Sequence, residues 1–116
     1  MTGLAPNPGV SVLRLNGESD VLVASRLRSD LASAVAGETP VVVDLSGATS
    51  IDAAVVRVLL EGLAESERNE QVLLLLLPDS SSAVHQLFQM SGLARLLPVV
   101  SSWDEALRRA GARPSI

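Results

Sequence analysis

Apolar residues near the start of the chain follow a strand-like pattern and then a helical one. The segment 10–15, Val-Ser-Val-Leu-Arg-Leu, predicts a first strand, and Asn16-Gly17 predicts a turn or kink after it. Residues 18–20 are long enough for a short second strand or its edge. Apolar residues at helical spacing then predict a helix over about 23–36, which ends before Gly37.

Two later apolar runs, over 41–45 and 71–77, do not alternate with polar residues. Runs of this kind are typical of strands that are covered on both faces of a parallel sheet. The second run contains five consecutive leucines, which favour helix by propensity. A strand is nevertheless the better interpretation, because Pro78 ends the run and a helix is predicted on either side. Between the runs, the sequence predicts a polar loop over 46–50 and then a helix over about 53–69, with Asp52 as its N-cap.

The last third of the chain predicts a helix, a turn, an edge strand and a final helix. The helix covers about 81–91, is capped by Asp79 or Ser80, and ends at Gly92. Its inward residues are expected to be Val84, Leu87 and Phe88, with Met90 in core or helix-end packing and His85 at the surface. A short turn over 93–97 and an edge strand over 98–100 follow. The pair Ser102 and Glu105 forms a capping box that opens a helix to about Ala110, and Trp103 is expected to cover the edge of the core.

This order of elements predicts an α/β fold in which about four helices pack on a mixed, mostly parallel sheet of four to five strands. We expect a loose tail over 1–9, a single domain over 10–110 and a second tail over 111–116.

Composition excludes several classes of chemistry. The 116 residues include no cysteine and one histidine, so disulfides, thiolate metal sites, histidine clusters and cysteine nucleophiles are excluded. The nine basic residues are all arginines, are scattered, and are outnumbered by thirteen acidic ones. With only two aromatic residues as well, the chain has neither a basic stripe nor stacking platforms for nucleic acid. We therefore predict no nucleic-acid partner, no metal, no cofactor and no enzymatic activity.

Neither targeting nor membrane insertion is expected from the sequence. Residues 1–10 lack the cationic head and apolar run of a signal peptide. The longest apolar runs, near 53–60 and 72–78, are too short to span a bilayer. We expect a cytoplasmic protein that is a monomer or a weak homo-oligomer.

Three segments, taken in order, resemble the STAS domain of bacterial anti-sigma factor antagonists over about residues 10–107. The first is Gly-Glu-Ser-Asp at 17–20, with Leu27 seven residues later. The second is Val-Asp-Leu-Ser-Gly-Ala-Thr-Ser-Ile-Asp at 43–52. The third is Val-His-Gln-Leu-Phe-Gln-Met-Ser-Gly-Leu at 84–93, followed by Leu-Leu-Pro at 96–98.

The resemblance implies a regulatory module that sequesters an anti-sigma factor, a serine kinase-like protein, and so frees a sigma factor. In the family, that kinase phosphorylates the first serine of an Asp-Ser-Ser-Gly segment, and the phosphorylated protein no longer binds. Here Asp52 is followed by Ala-Ala-Val at 53–55, so the family's phosphate acceptor is replaced by Ala53. The partner-binding residues implied by the resemblance are Asp20, Ser46, Gly47, Thr49, Asp52, Ala53, Ala54, Arg57 and Val58.

A helical wheel of residues 53–69 orients part of this predicted surface. It places Val56, Leu59, Leu60 and Leu63 inward. It turns Ala54, Arg57, Val58 and Glu61 outward, so that Val58 and the alanines would form a small apolar patch.

Several alternatives stay open at the level of sequence. Asp52 is favoured as a simple N-cap, and Asp20 is equally well an ordinary turn aspartate. Thr49 and Ser50 are favoured as solvated hydroxyls over phosphate acceptors. The alanine pair after Asp52 indicates either a switch held in its unmodified state or a decayed site. The alternative function is a non-phosphorylated STAS scaffold or an accessory subunit of a signalling or transport complex.

Overall fold

The computed structural model describes residues 9–79 and 82–111. The elements in these ranges are β1 (Ser11–Ser19), α1 (Val21–Val35), β2 (Val41–Ile51), α2 (Ala53–Arg68), β3 (Leu73–Leu76), α3 (Ala83–Ser91), α4 (Leu93–Leu96), β4 (Val99–Val100) and α5 (Trp103–Ala110).

Within the described residues the sheet has four strands in the order β1-β2-β3-β4. Each of the three neighbouring pairs is parallel. This arrangement follows from the chain order, because parallel neighbours need a crossover and every connection here contains a helix. The predicted α/β fold is confirmed, and the described sheet is fully parallel where a mixed sheet was expected.

The first two strands are longer than the sequence predicts. Residues 46–50, predicted as a polar loop, belong to β2, and the separate strand predicted at 18–20 is the end of β1 and the cap that follows it. Both predictions were wrong because β1 and β2 pair from one end to the other, with two shifts in register, and this backbone pairing does not depend on apolar side chains. The predicted kink at Asn16-Gly17 is a bulged stretch of β1, where the register shifts and Gly17 adopts a left-handed φ of 69°.

Both faces of the sheet are covered by helices, which explains the apolar runs without alternation. One set of strand side chains, including Val43 and Leu75, packs in a core that contains residues of α1, α2 and α3. The neighbouring positions Val42 and Leu74 pack in a second core with α5. Trp103 is half-buried against this second core, as predicted.

The helix α3 differs from its prediction at both its start and its inward face. Its N-cap is Ser82, whose Oγ accepts a hydrogen bond of 3.0 Å from the backbone N–H of His85. The predicted cap Asp79 is therefore not the cap, while Ser80 and Ser81 lie outside the described residues. Gly92 ends α3 at a left-handed φ of 81°, as predicted.

Only one narrow stripe of α3 reaches the core. Val84 and Phe88, four residues apart, are buried as predicted. Leu87 is 39% exposed and Met90 is 88% exposed, so the inward placement of Leu87 and the core or helix-end packing expected for Met90 were both wrong. His85, expected at the surface, is half-buried. The predicted tails fall outside the described residues, apart from Gly9, Gly111 and the turns they form.

The capping box that opens α5 is present in a shifted form. Ser102 Oγ accepts a hydrogen bond of 3.1 Å from the backbone N–H of Glu105. The Glu105 carboxylate reaches back to the backbone N–H of Ser101 at 3.0 Å, one residue before the cap. This hydrogen bond lowers the pKa of Glu105, assisted by the Ser101 hydroxyl and the nearby Arg109 and Arg108, against the opposing effect of desolvation.

Candidate partner-binding edge

The strands β1 and β2 end side by side, and each leads directly into a helix. Ser19 and Ile51 are paired across the two strands, and the backbone N–H of Asp52 donates a hydrogen bond of 2.9 Å to the Ser19 carbonyl oxygen. The helix α1 begins two residues after Ser19, and α2 begins two residues after Ile51. Asp20 and Asp52 therefore lie next to each other at the carboxyl edge of the sheet, where sites gather in parallel α/β folds.

Both of these aspartates are N-caps. Asp20 Oδ1 accepts a hydrogen bond of 3.1 Å from the backbone N–H of Val23, and Asp52 Oδ1 accepts one of 2.8 Å from that of Ala54. The cap predicted at Asp52 is confirmed, and Asp20 caps α1 in the same way. Each carboxylate stabilises a helix start while staying exposed to solvent.

The first two turns of α2 present a different face from the predicted one. Ala53 is the first residue of the helix and is exposed, as is Arg57 one turn later. Val58 and Ala54 were both predicted to point outward, but Val58 is only 2% exposed and packs in the core, and Ala54 is half-buried against the same core. The buried stripe is rotated from the predicted one because α2 also packs against α1, which draws Val58 and Gly62 into the helix–helix contact. The apolar patch predicted from Val58 and the alanines does not exist.

Two other predicted site residues, Ser46 and Gly47, lie on β2 and make contacts that stabilise the sheet or its neighbouring side chains. Asp44 is buried, and its carboxylate accepts hydrogen bonds from the Ser46 backbone N–H at 2.9 Å and from the Ser46 hydroxyl at 2.6 Å. Its second oxygen pairs with Arg14 on β1 at 3.3 Å. A Cβ added at Gly47 would lie 2.2 Å from Asn16 Oδ1, so the glycine allows β1 and β2 to approach at the bulge.

Thr49 and Ser50 are exposed on the last part of β2, close in sequence to Asp52. The structure therefore brings Thr49, Asp20, Asp52, Ala53 and Arg57 toward one edge. It does not bring Val58 there. Ser46 is instead hydrogen-bonded to Asp44 within β2, and Gly47 lies at the close approach of the two strands.

Sequence reasoning missed the two residues that follow Asp20. Val21 is 62% exposed and Leu22 is 77% exposed, although both are large and apolar. A signal for them was present in the sequence, because helix first turns favour acidic residues and α1 has none in its first turn.

A groove of about 330 Å³ runs between α1 and α2, with Leu31, Val58 and Gly62 among its lining residues. Arg28 on α1 pairs with Glu61 on α2 at 3.0 Å across it. Gly62 sets the closeness of the helices, since a Cβ there would lie 2.3 Å from Leu31 Cδ2.

Neither a metal centre nor a membrane span is found in residues 9–79 and 82–111. No group of three or more histidine or acidic side chains in this part of the chain is arranged to hold a metal ion. No helix there combines the length and the apolar character needed to cross a bilayer.

The family model described as "Mlab, STAS domain" matches residues 3–98. This chain belongs to the STAS domain family. The resemblance drawn from the three sequence segments is thereby confirmed. Comparison with curated proteins gives no significant match.

Solved structures show the same fold. The STAS domain described here is similar to the anti-sigma factor antagonist SpoIIAA in its unphosphorylated form, with 22% identity, 98% of each chain covered and a TM-score of 0.75. It is also similar to an anti-sigma factor antagonist from Mycobacterium paratuberculosis, with 24% identity, 95% of this chain and 93% of that chain covered, and a TM-score of 0.74. A sulfate transporter family protein from Wolinella succinogenes shares 26% identity, with 90% of this chain and 87% of that chain covered and a TM-score of 0.70.

Proposed function

We propose that this STAS domain is a regulatory protein-binding module that binds a serine kinase-like anti-sigma factor through the Asp20–Asp52 edge and so frees a sigma factor. We further propose that it lacks the serine phospho-switch of its family. The observation that carries the proposal is the start of α2, where the cap at Asp52 leaves Ala53 exposed as the first residue of the helix. A serine at this position would present its hydroxyl to a docked kinase, whereas a methyl group accepts no phosphate.

The electrostatics of this edge support a switch based on charge. A phosphate adds about −1.5 to −2 charges at neutral pH. At residue 53 this charge would lie directly beside the Asp52 carboxylate and one strand away from Asp20. Repulsion and desolvation would then oppose docking, as the resemblance implies for the family. With alanine at 53, binding follows the concentrations of the two proteins alone. A partner of this kind would be met in the cytoplasm.

A binding experiment tests the proposal directly. The purified protein is titrated with the serine kinase-like proteins encoded near its gene, with and without ATP, by isothermal titration calorimetry. We expect a complex that ATP does not dissolve. The proposal would be contradicted if the protein formed no complex with any of these kinases. It would also be contradicted if ATP dissolved the complex although the protein carried no phosphate.

Two variants at residue 53 test the position of the interface. Ala53→Ser should restore a phosphate acceptor, so that ATP now dissolves the complex and mass spectrometry finds phosphate on residue 53. Ala53→Asp should weaken binding at least tenfold. The matched control is Ser33→Asp, which places the same charge on an exposed position of α1 more than two turns from the edge. If Ala53→Asp and Ser33→Asp reduced the affinity for the kinase equally, residue 53 would not lie at the interface.

A second candidate function is an accessory subunit of a transport complex. It is favoured by the similarity to a sulfate transporter family protein. Co-purification with the ATPase or permease encoded nearby, followed by light scattering of the complex, tests it. A stable transporter complex that Ala53→Asp leaves intact would support this function over the first.

A further inference from the structure

After their aspartate N-caps, the first turns of α1 and α2 contain no residue that interacts favourably with the helix dipole. Neither contains an acidic residue, although a carboxylate in this position interacts favourably with the helix dipole. The helix α5 of the same chain has both Asp104 and Glu105 in its first turn. The helix dipole therefore does not account for Val21 and Leu22 at the start of α1.

Core packing does not account for them either. Val21 and Leu22 are the first two residues of α1, and they are 62% and 77% exposed. Burial of a large apolar side chain is favourable, and the folded domain leaves most of that gain unrealised for these two residues. These two side chains are available for burial against another molecule.

The geometry of the two helices places these residues beside the start of α2. Both helices start at the carboxyl edge of the sheet, where Ser19 is paired with Ile51, and they run in the same direction. The Arg28–Glu61 pair fixes which residues face each other. Two helical turns before this pair, the corresponding residues are Val21 on α1 and Ala54 on α2, so Val21 is level with the first turn of α2. By the same periodicity, Leu22 and the exposed Ala53 both face away from the sheet.

Three carboxylates lie next to this apolar surface in the chain and in the strand pairing. Glu18, Asp20 and Asp52 are all exposed and lie within two residues of the point where β1 and β2 end. None of the three belongs to an ion pair within residues 9–79 and 82–111, so their charge is not neutralised by that part of the molecule. Arg57, one turn further along α2, lies beyond them. We call Val21, Leu22 and Ala53, together with these three carboxylates, the α1–α2 tip.

We propose that the α1–α2 tip is a docking surface for a partner protein that presents an apolar pocket rimmed by arginine or lysine side chains. The identity of this partner as an anti-sigma factor rests on the function proposed above. The apolar centre and charged rim match the usual anatomy of protein interfaces. Complementary charge on the partner raises the rate of association and selects against acidic surfaces. Leu22, the more exposed of the two apolar side chains, supplies the main anchor.

A peptide titration tests the chemistry of the tip without any natural partner. The ¹⁵N-labelled protein is titrated by NMR with a synthetic amphipathic helix of leucine and arginine, and separately with the same peptide in which glutamate replaces arginine. We expect the arginine peptide to shift the amide signals of residues 18–22 and 52–57, and the glutamate peptide to leave them unchanged. Absence of shifts at millimolar peptide, or equal shifts with both peptides, would overturn the proposal.

Variants locate the binding within the tip. Leu22→Glu should reduce affinity for the arginine peptide at least tenfold. Met90→Glu is the matched control, since Met90 on α3 is also an apolar residue with most of its side chain exposed. Asp20→Asn removes a charge but keeps a good N-cap, so it should weaken binding severalfold and reduce its dependence on salt. Because Leu22 and Met90 are both exposed, circular dichroism should show both glutamate variants folded. If Leu22→Glu and Met90→Glu reduced the affinity for the arginine peptide equally, the proposal would be overturned.

The same variants, measured with the kinase, separate this proposal from the function. If the kinase does not bind but the arginine peptide does, the anti-sigma assignment fails and the tip stands. If the kinase binds and Ala53→Asp weakens it, while Leu22→Glu changes neither kinase nor peptide binding, the function stands and the tip proposal fails.

Discussion

The backbone N–H of Asp52 donates a hydrogen bond of 2.9 Å to the carbonyl oxygen of Ser19. This single contact continues the β1–β2 ladder by one step beyond the last strand residue of β2. Through it, the N-caps of α1 and α2 are held side by side, because Asp20 follows Ser19 and Asp52 is itself the cap of α2. The candidate edge is therefore part of the sheet's own hydrogen bonding.

The cap at Asp52 is expected to contribute measurably to stability. Asp52→Ala removes the acceptor for the Ala54 backbone N–H and should lower the free energy of unfolding by about 1 kcal/mol. Urea unfolding followed by circular dichroism measures this. Asp52→Asn keeps a capping oxygen and should stay within about 0.5 kcal/mol of wild type. A loss as large as that of the alanine variant would show that the charge matters more than the cap.

The close approach of α1 and α2 depends on the missing side chain at residue 62. In an exposed helix, replacing glycine with alanine stabilises by up to about 1 kcal/mol. Here a Cβ would lie 2.3 Å from Leu31 Cδ2, so Gly62→Ala should instead destabilise by about 1–3 kcal/mol.

A double-mutant cycle with Leu31→Ala checks the cause. If the clash with Leu31 is responsible, the cost of Gly62→Ala should shrink in the Leu31→Ala background. Simple additivity of the two unfolding free energies would rule out this explanation.

The corrected position of Val58 leads to a contrast between two apolar residues. Val58 is 2% exposed, so Val58→Ala should lower the free energy of unfolding by about 2 kcal/mol through lost burial and a small cavity. Leu22 is 77% exposed, and Leu22→Ala should change it by less than about 0.5 kcal/mol. Thermal or urea unfolding of both variants tests this. If Leu22→Ala lowered the free energy of unfolding more than Val58→Ala, the buried position of Val58 would be contradicted.

Glu105 is expected to make stability depend on pH in the acid range. The Ser101 backbone hydrogen bond lowers the pKa of Glu105 below its ordinary value of 4.5 in the folded protein. A carboxyl group with a lowered folded-state pKa stabilises the fold above the unfolded pKa, and that contribution is lost as the pH falls through the lowered value. Glu105→Gln should therefore flatten the dependence of unfolding free energy on pH below about pH 4.5.

The control for this change is Glu67→Gln, which removes the same charge from an exposed position of α2. The unfolding free energy of Glu67→Gln should depend on pH as steeply as that of wild type in the same acid range. If both glutamine variants flatten the curve alike, the effect comes from net charge and not from the Ser101 contact.

Local pattern was enough to predict most of the elements and several of the caps. The apolar runs at 41–45 and 71–77, which overlap β2 and β3, indicated strands covered on both faces, and the structure covers both faces. Asp52 and Ser102 were recognised as caps because a capping residue acts on backbone groups only two or three residues away. The family could be recognised for a related reason, since its motifs lie in short continuous segments.

The amino-acid sequence by itself determined the alternation of strands and helices, the position of Asp52 and the presence of a methyl group at residue 53. The tertiary structure alone decided that residues 46–50 form a strand, because that depends on β1 lying alongside. It also decided that Val58 is buried while Val21 and Leu22 are exposed. The physical reason is that which apolar side chains lose contact with water depends on how each helix is rotated against its neighbours, and residues distant in the chain set that rotation.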